Sequence, residues 1–472
     1  MDYDHSTYIS PLTWRYGSEE MKEIFSEVHK RKLLRRVWIA LARAESKAGL
    51  VTEEQVSELE AHKDDIDIER ASEIESSIHH DLMAEIRTYA GQCPKAGGII
   101  HLGATSMDVL DNADAVRFRQ ALSVILSKLQ GLIDAFIDKA VEYKDVPTMA
   151  FTHIQPAEVT TIGYRLSQTL QDLIEDAEEL MHVRKSIRGK GMKGAVGTAA
   201  SYAALLEGSE MTPEELEIMV MDELGLKAFT AATQVYTRKQ DLRIIAALSS
   251  LAATLHRFSL DMRILQSPPV GEISEPFGKK QVGSSAMPFK RNPINNEKIC
   301  SLSRIVEGAY QSAWSNAALM ILERTLDDSA NRRIFIPEAF IALDEMLITA
   351  QRIVKGMNVH SAATGRLMQN YGIFAATERL LMELGRRGAD RQEMHEVIRE
   401  ESLAAWAEVQ AGRDNPLKEK LKEDQRILAY LTEAEIDSLL DASSYTGDAE
   451  RRTDIVISKA LELSRGMKVT EG

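Results

Sequence analysis

The sequence has little of what a membrane protein, a disulfide-rich protein or a nucleic-acid-binding protein needs. Its two cysteines, Cys93 and Cys300, lie far apart and give neither a disulfide framework nor metal-ligand spacing. It has no run of about 18 apolar residues, the length that spans a membrane. Its net charge of -15 argues against nucleic acid as the main partner, because phosphate backbones require a basic surface. We therefore predict a cytoplasmic protein that binds neither membrane nor nucleic acid.

The N-terminal stretch MDYDHSTYIS carries acids and no apolar segment, so no secretory signal is predicted. The acidic balance does not argue against a small anionic substrate. Such a substrate would need a locally cationic pocket, for which Lys290 and Arg291 are candidates.

Alternating β-branched runs between turn residues are also nearly absent, which leaves helices as the main element. Apolar residues instead recur every three or four positions in long stretches, and the twelve prolines delimit these runs. Three stretches carry the pattern: Phe118, Leu122, Ile125, Leu129, Leu132, Phe136 and Val141; Leu242, Ile245, Leu248, Leu251, Leu255 and Phe258; and Ile299, Leu302, Ile305, Ala309 and Ala313. We predict an all-α fold with a bundle of long helices at its centre.

Composition and helix length predict three helical domains. Residues 1–108 would form an N-terminal helical domain with polar loops. Residues 109–365 would form the central long-helix bundle, interrupted by a polar loop at 275–293. Residues 366–472 would form a C-terminal domain of shorter helices.

Five polar interruptions between helices are the places where chemistry is expected. The stretch RGKGMKGAVGTAAS contains a G-x-G-x-x-G pattern at Gly189, Gly191 and Gly194. A dinucleotide site needs this pattern after a strand, whereas here the preceding stretch has helical periodicity. We therefore predict a glycine-rich loop that ends a helix.

The stretch SSIHHDLMAEI places His79, His80 and Asp81 side by side. Adjacent residues on a helix point about 100° apart, so the three side chains cannot all chelate one metal ion. Hydrogen-bonding groups at a helix start and a solvated polar turn both remain open.

In HLGATSMDVLDNA, Thr105 and Ser106 stand just before Asp108, which is typical of a helix N-cap. A helix N-terminus with hydroxyl groups is also an anion site. Capping alone and ligand binding both remain open at this position.

The stretch MAFTHIQPAEVTT places Thr152, His153 and Gln155 in a predicted short kink between helices, set by Pro147 and Pro156. A histidine there is free to face a cavity and to act as an acid or base. A histidine without a partner in the sequence is nevertheless often an ordinary polar residue.

The last interruption, VGSSAMPFKRNPINNEK, carries Ser284 after Gly283, with Lys290 and Asn292 following. A serine hydroxyl is a poor base unless a nearby cation or aligned amide donors favour the alkoxide. No G-x-S-x-G elbow is present, so a hydrolase triad is not supported.

The residues GSSAMPFKRNP resemble the signature of the fumarase/aspartase superfamily, G-S-S-x-M-P-x-K-x-N-P. The interruptions TS, THIQPA, GAVGT and TQV also occur in the order found in that superfamily, so the resemblance covers essentially the whole chain. Within it, SPLTWRYGS, HHD and ERTLDDSANRR resemble the adenylosuccinate lyase family.

This resemblance implies a lyase that breaks a C–N bond by anti β-elimination and releases fumarate. In the adenylosuccinate lyase family the substrates are adenylosuccinate, which gives AMP, and succinylaminoimidazole carboxamide ribotide. By matching position, Ser284 would be the general base and His153 the general acid. Lys290 and Asn292 would stabilise the developing negative charge, and Glu297 would orient His153.

The resemblance also implies a set of substrate-binding residues. For the nucleotide phosphate and ribose these are Arg15, Tyr16, Ser329 and Arg333, with Arg324 at a further binding position. For the succinyl carboxylates they are Thr105, Ser106, Thr152 and Gln234. The nucleotide side would be lined by His79, His80 and Asp81, and Asn292 and Lys298 complete the set. No metal or organic cofactor is implied, and the family is a homotetramer with sites built from three chains.

Two departures from the family pattern stand out. Where many relatives read L-S-H-S-S-A-E-R, this chain has LDDSANRR, so Asp327 and Asp328 place negative charge beside the expected phosphate pocket. His79 stands where Arg or Lys is common. The alternatives are another lyase of the superfamily, such as argininosuccinate lyase or a carboxymuconate cycloisomerase, and an inactive structural homologue.

Overall fold

The computed structural model describes residues 6–469, and nearly all of its regular structure is helical, which confirms the predicted all-α fold. The first residues of the stretch used to exclude a secretory signal, residues 1–5, lie outside the described part. The predicted division into three domains remains a prediction.

The helices and strands follow one another along the chain in three groups. The N-terminal third contains α1 Pro11–Trp14, α2 Glu19–Ile24, α3 Glu27–Lys47, α4 Glu53–Ala61, α5 Ile68–Ile78, α6 Asp81–Gln92, α7 Ser106–Glu142, β1 Pro147–Thr152 and β2 Gln155–Thr161. The middle contains α8 Ile162–Ser186, β3 Arg188–Gly189, α9 Ala200–Leu205, α10 Pro213–Glu223, β4 Lys227–Ala228, α11 Lys239–Gln266, β5 Ile273–Ser274, α12 Ile294–Ala318 and α13 Ser329–Gly356. The rest contains β6 Asn358–Val359, α14 Ser361–Arg386, α15 Arg391–Gln410, α16 Leu417–Glu423, α17 Gln425–Leu428, α18 Glu433–Leu439 and α19 Ala449–Val469.

Three long helices, α7, α11 and α12, form where the sequence repeats apolar residues at helical spacing. In α7 the predicted core positions from Phe118 to Phe136 are all buried, whereas Val141 near the helix end is 52% exposed. In α12 the prediction fails at one position, because Ile305 is 39% exposed. The helical period therefore identifies the buried face of these helices but not its limits.

Proline marks a helix boundary less reliably than the sequence suggested. Helix α13 continues through Pro337, where a break was expected. Neighbouring side chains such as Ile336 and Phe340 are buried. The stabilisation from this burial exceeds the cost of the single main-chain hydrogen bond that Pro337 cannot donate.

One described helix, α7, is long and apolar enough to cross a membrane by length and composition alone. Within its apolar window, 67% of the residues are buried inside the protein. A largely buried core helix passes the same length and composition test, so this result is weak support for a membrane span.

Strands are short and form three two-stranded sheets among the described residues. Strands β1 and β2 form an antiparallel hairpin, β3 pairs in parallel with β4, and β5 pairs antiparallel with β6. The hairpin corrects the prediction for residues 147–161, where a kink between helices was expected.

The chain divides into two compact units. The first unit comprises Met1–Leu129, Asp176–Leu255 and Ser301–Ile348, and its core contains stacked rings of Phe118 and Phe340, 6.4 Å apart. The second unit comprises Gln130–Glu175, His256–Cys300 and Thr349–Gly472. Its core is built largely from the apolar faces of α14 to α18, with Met149 and Val159 of the hairpin packed into it.

Candidate active site

In the second unit, His153 lies at the tip of the β1–β2 hairpin. Residues His153 and Ile154 form a two-residue loop with φ values of 53° and 60°, and Thr152 and Gln155 pair at the strand ends. Positive φ at both central positions is the geometry of a type I′ turn, which suits the twist of a hairpin. All four residues are exposed, so the imidazole projects at the surface of the chain.

Also in the second unit, Ser284 lies in the loop between β5 and α12, which we call the signature loop (residues 276–293). Its Oγ accepts hydrogen bonds from the main-chain N–H groups of Ala286, at 3.3 Å, and Met287, at 3.1 Å. Two amide donors aimed at one hydroxyl oxygen favour its deprotonated form, which is the condition that the sequence left open for a serine base.

The signature loop is folded tightly around Gly283. A Cβ atom at this position would lie 2.0 Å from the carbonyl oxygen of Lys290, so only glycine fits there. The Asn292 side-chain amide donates to the Gly283 carbonyl at 3.1 Å. These contacts bring the backbone next to Ser284 close to the backbone of Lys290. The Lys290 side chain is exposed.

Glu297 lies in the first turn of α12, directly after the signature loop, and Lys298 follows it. Glu297 is exposed and Lys298 is half-buried. Within one chain, the described structure gives His153 no hydrogen bond to Ser284 or Glu297. The pairing of His153 with Glu297 therefore remains a prediction.

In the first unit, the HHD motif joins two helices. His79 ends α5 with a φ of 54°, and the His80 side chain caps α6 by accepting from the Met83 N–H at 3.2 Å. This confirms hydrogen bonding at a helix start. Burial raises the pKa of Asp81, but the Leu82 amide and the Arg333 guanidinium, 2.8 Å away, outweigh it and hold that pKa below its usual value.

The first unit also contains Thr105 and Ser106, at the start of α7. The Thr105 N–H donates to the Asp108 carboxylate at 3.0 Å, which is one half of a capping box, whereas capping by the Thr105 or Ser106 hydroxyl remains a prediction. The larger role of Asp108 was not predicted. It is fully buried and accepts from the Lys190 ammonium at 2.5 Å and from the Gly194 N–H at 3.1 Å.

The glycine-rich stretch follows α8 and a two-residue strand, so the structure has no dinucleotide-binding βαβ unit in this part of the described chain. Its Lys190 is buried against Asp108, and burial lowers the pKa of Lys190 although Asp108 opposes that shift. Sequence reasoning missed this pair. Only a lysine inside a glycine-rich loop hinted at it.

The departure at Asp328 has a local explanation in the first unit. Asp328 is buried and pairs with Arg238 at 2.6 Å and with Arg324 at 2.9 Å. Burial raises the pKa of Asp328, but the two guanidinium groups outweigh it and lower that pKa. The negative charge is therefore neutralised inside the protein, while Asp327 is exposed.

The remaining predicted binding residues of the first unit lie at loop and helix ends. Arg15 is exposed, with its guanidinium 5.8 Å from the Tyr16 ring centre. The Gln234 main chain donates to the Glu323 carbonyl at 3.3 Å, which joins its loop to the one carrying Arg324. No cluster of three or more potential metal ligands occurs between residues 6 and 469.

Comparison with known proteins places this chain in a family. A family profile described as "Lyase" matches residues 15–308, and one described as "Adenylosuccinate lyase C-terminus" matches residues 374–456. The adenylosuccinate lyase of Saccharomyces cerevisiae is 40% identical over 97% of this chain and 95% of its own length. The chain belongs to the adenylosuccinate lyase family. The adenylosuccinate lyase of Pyrococcus abyssi is 35% identical over 97% of this chain and 99% of its own.

Membership of the adenylosuccinate lyase family confirms the resemblance drawn from the signature. The solved structure of 3-carboxy-cis,cis-muconate lactonizing enzyme from Pseudomonas putida aligns with a TM-score of 0.84 at 24% identity, covering 95% of this chain and 98% of that one. A fumarate lyase from Mesorhizobium aligns with a TM-score of 0.82 at 22% identity, covering 96% and 99%. At these identities the likeness shows a shared fold.

Proposed function

We propose that this chain is an adenylosuccinate lyase. It cleaves adenylosuccinate to AMP and fumarate by β-elimination, and it cleaves succinylaminoimidazole carboxamide ribotide in the same way. Full-length similarity to curated adenylosuccinate lyases supports the choice of substrate. The observation that carries the mechanism is the pair of main-chain amides at Ser284 Oγ, because they supply what a serine base needs.

Ser284 takes the proton from the succinyl carbon next to a carboxylate. The electron pair left on that carbon delocalises into the carboxylate and then forms the double bond of fumarate as the C–N bond breaks. The Lys290 ammonium, on the same loop, stabilises the developing dianion. The loss of one such stabilising donor typically costs about 2.7–4 kcal/mol of transition-state energy.

His153 donates a proton to the departing nitrogen, so that the amine leaves as a neutral group. Its exposed position on a two-residue turn favours reach into a substrate site. A positioned general acid contributes about 10²–10⁴-fold in rate. Glu297 orients this imidazole in the assembled enzyme.

The nucleotide phosphate is held by arginine, whose planar fork matches phosphate oxygens. Arg15 and Arg333 are both exposed and able to meet a ligand, and Arg333 is oriented by Asp81. Tyr16, Arg324 and Ser329 complete this set in the proposal. Thr105, Ser106, Thr152 and Gln234 hold the succinyl carboxylates.

The working enzyme is a cytoplasmic homotetramer that needs no cofactor, with sites shared between chains. Support comes from large apolar side chains left uncovered on α12 and α13 of one chain. Tyr310 is 41% exposed, Trp314 47% and Ile334 59%. Tyr310 and Trp314 are four residues apart and share one face of α12, and exposed large apolar side chains on one helix face commonly mark an interface with another chain.

The direct test is to supply adenylosuccinate and follow fumarate and AMP. We expect turnover in the parent chain, loss of several orders of magnitude in Ser284→Ala with nucleotide binding retained, and a smaller loss in the neighbouring Ser285→Ala. Arg15→Ala should abolish AMP formation by weakening substrate binding. Turnover of argininosuccinate or a carboxymuconate instead, or near-normal turnover in Ser284→Ala, would refute the proposal.

A further inference from the structure

Two fully buried carboxylates flank strand β5, just before the signature loop. Glu272 is 0% exposed and Glu275 is 2% exposed. A buried carboxylate is costly unless hydrogen bonds or cations satisfy its oxygens. Neither residue belongs to the motifs from which the function was inferred, so each needs a separate physical reason.

Glu275 fastens the far end of the signature loop. One of its oxygens accepts from the main-chain and side-chain N–H groups of Asn295, at 3.2 and 2.8 Å. The other accepts from the same two groups of Asn296, at 3.1 and 2.8 Å. The carboxylate thus binds the N-terminal turn of α12, where an anion is electrostatically favoured.

Gln266, at the end of α11, closes the same loop from the other side. Its side-chain oxygen accepts from the Glu275 N–H at 3.0 Å, and its side-chain nitrogen donates to the Arg291 carbonyl at 3.0 Å. The side-chain amide of Gln266 and the carboxylate of Glu275 therefore together hold both ends of the segment that carries Ser284 and Lys290. The position of Ser284 depends on these closures, because the intervening segment is exposed or half-buried.

Glu272 fastens the hairpin in the same way. Its carboxylate accepts from the Thr148 hydroxyl of β1 and from Arg165 of α8 at 3.0 Å. Arg165 in turn donates to the Met149 carbonyl of β1 at 2.5 Å. This anchors the base of the hairpin whose tip carries His153.

We propose that Glu272 and Glu275, which flank the short strand β5, are positioning residues that fix the hairpin of His153 and the loop of Ser284, respectively. This proposal rests on the roles assigned to Ser284 and His153 in the proposed function. It goes beyond those roles by naming two carboxylates that do not contact the substrate but determine the positions of the acid, His153, and the base, Ser284.

The test compares Glu272→Gln with Glu275→Gln by hydrogen exchange and by steady-state kinetics on the full-length protein. Gln keeps the size of Glu but places an N–H₂ group against the existing donors. In Glu275→Gln we expect faster amide exchange in residues 276–293, including the Met287 amide, with the hairpin unchanged. In Glu272→Gln we expect faster exchange in residues 147–161, with the signature loop unchanged.

The kinetic expectation is a fall in kcat of about 10–100-fold in each variant, with KM within about 3-fold, because misplacing a reacting group by an ångström costs on this order. In a Ser284→Ala background, Glu275→Gln should cause a smaller further loss than in the parent, because the part of its effect that acts through Ser284 is already gone and only the part that acts through Lys290 remains. A merely structural disturbance would reduce the residual rate by the same factor as in the parent.

The matched control is Glu393→Gln. Glu393 also lies in the first turn of a helix of the second unit, but it is exposed and its side chain makes no hydrogen bond to any described residue. The Glu393→Gln variant should leave amide hydrogen exchange in both segments, and kcat, unchanged. Equal loosening of both segments by either Glu variant, or loosening without a fall in kcat, would overturn the proposal. A parent chain that releases no fumarate would instead overturn the proposed function. The hydrogen-exchange result would not depend on that outcome, because it measures only whether each carboxylate holds its segment.

Discussion

At the scale of single residues, Glu45 on α3 is a buried carboxyl group. It is 1% exposed, and neither carboxylate oxygen has a hydrogen-bond partner among the described residues. Burial raises the pKa of Glu45 from 4.5 to about 8. The folded chain therefore holds a proton on Glu45 more tightly than the unfolded chain does, and this contribution to stability is lost as pH rises from 4.5 to about 8.

We predict that Glu45→Gln removes this pH dependence. The free energy of unfolding of Glu45→Gln minus that of the parent should increase by about 1.4 kcal/mol for each pH unit within this window. Melting temperatures measured from pH 5 to 8.5 would show the two curves separating as pH rises. Parallel curves would show that Glu45 titrates normally. Glu393→Gln, at an exposed site, should track the parent.

Sequence reasoning predicted the identities of the site residues better than their contacts. Asp108 was recognised as part of a helix start, because capping depends on the next few residues. Its ion pair with Lys190 was not predicted, because that contact joins residues 82 positions apart. Asp328 was expected to place negative charge beside the phosphate pocket, and its neutralisation by Arg238, from another loop, could be seen only in the folded chain.

At the scale of elements, the long helices were predictable and the hairpin was not. Helical periodicity persists over many turns in α7 and α11, so the signal is strong. The hairpin has short strands, a Pro156 inside β2 and a His-Ile turn in place of the usual Asn-Gly. Its stability comes from Met149 and Val159 packed in the core of the second unit, which local pattern does not reveal.

Two glycines allow a sharp test of the glycine-rich loop of the first unit. Gly197 has a φ of 88°, and a Cβ there would lie 1.9 Å from the Ala232 carbonyl oxygen. Gly208 has a φ of 85°, but nothing would lie within 4 Å of a Cβ atom added at that position. We predict that Gly208→Ala costs about 1–2 kcal/mol of unfolding free energy from backbone strain alone.

Gly197→Ala should cost clearly more, because it adds a steric overlap with the backbone that leads to Gln234. If that loop holds a succinyl carboxylate, the variant should also raise KM, whereas Gly208→Ala should not. Denaturant titration and steady-state kinetics on both variants measure these effects. Equal stability losses in the two variants would show that the loop moves away without cost.

At the scale of the whole molecule, one chain leaves the proposed chemistry incomplete. His153 makes no hydrogen bond to Ser284 or Glu297 in the described chain, and α12 leaves Tyr310 and Trp314 exposed. Composition and periodicity predicted an all-α chain, but they carry no information about which surfaces meet in an assembly. Only the family resemblance suggested shared sites.

Subunit exchange tests it directly. His153→Ala and Ser284→Ala should each be nearly inactive, because each lacks one proton-transfer group. If a site takes its acid and its base from different chains, mixed tetramers will contain some sites with both groups intact. Random mixing of equal amounts should restore about a quarter of the sites. The measurement is fumarate release after denaturation and joint refolding, with each variant refolded alone as the control.

A site built within one chain gives the opposite result. Every chain would then lack one group, and joint refolding would restore nothing. Size measurements must show that the mixed sample is a tetramer, so that failed assembly is not mistaken for failed complementation. Recovered activity in a tetramer requires that Ser284 of one chain and His153 of another act on the same substrate, although the two side chains make no hydrogen bond to each other within one described chain.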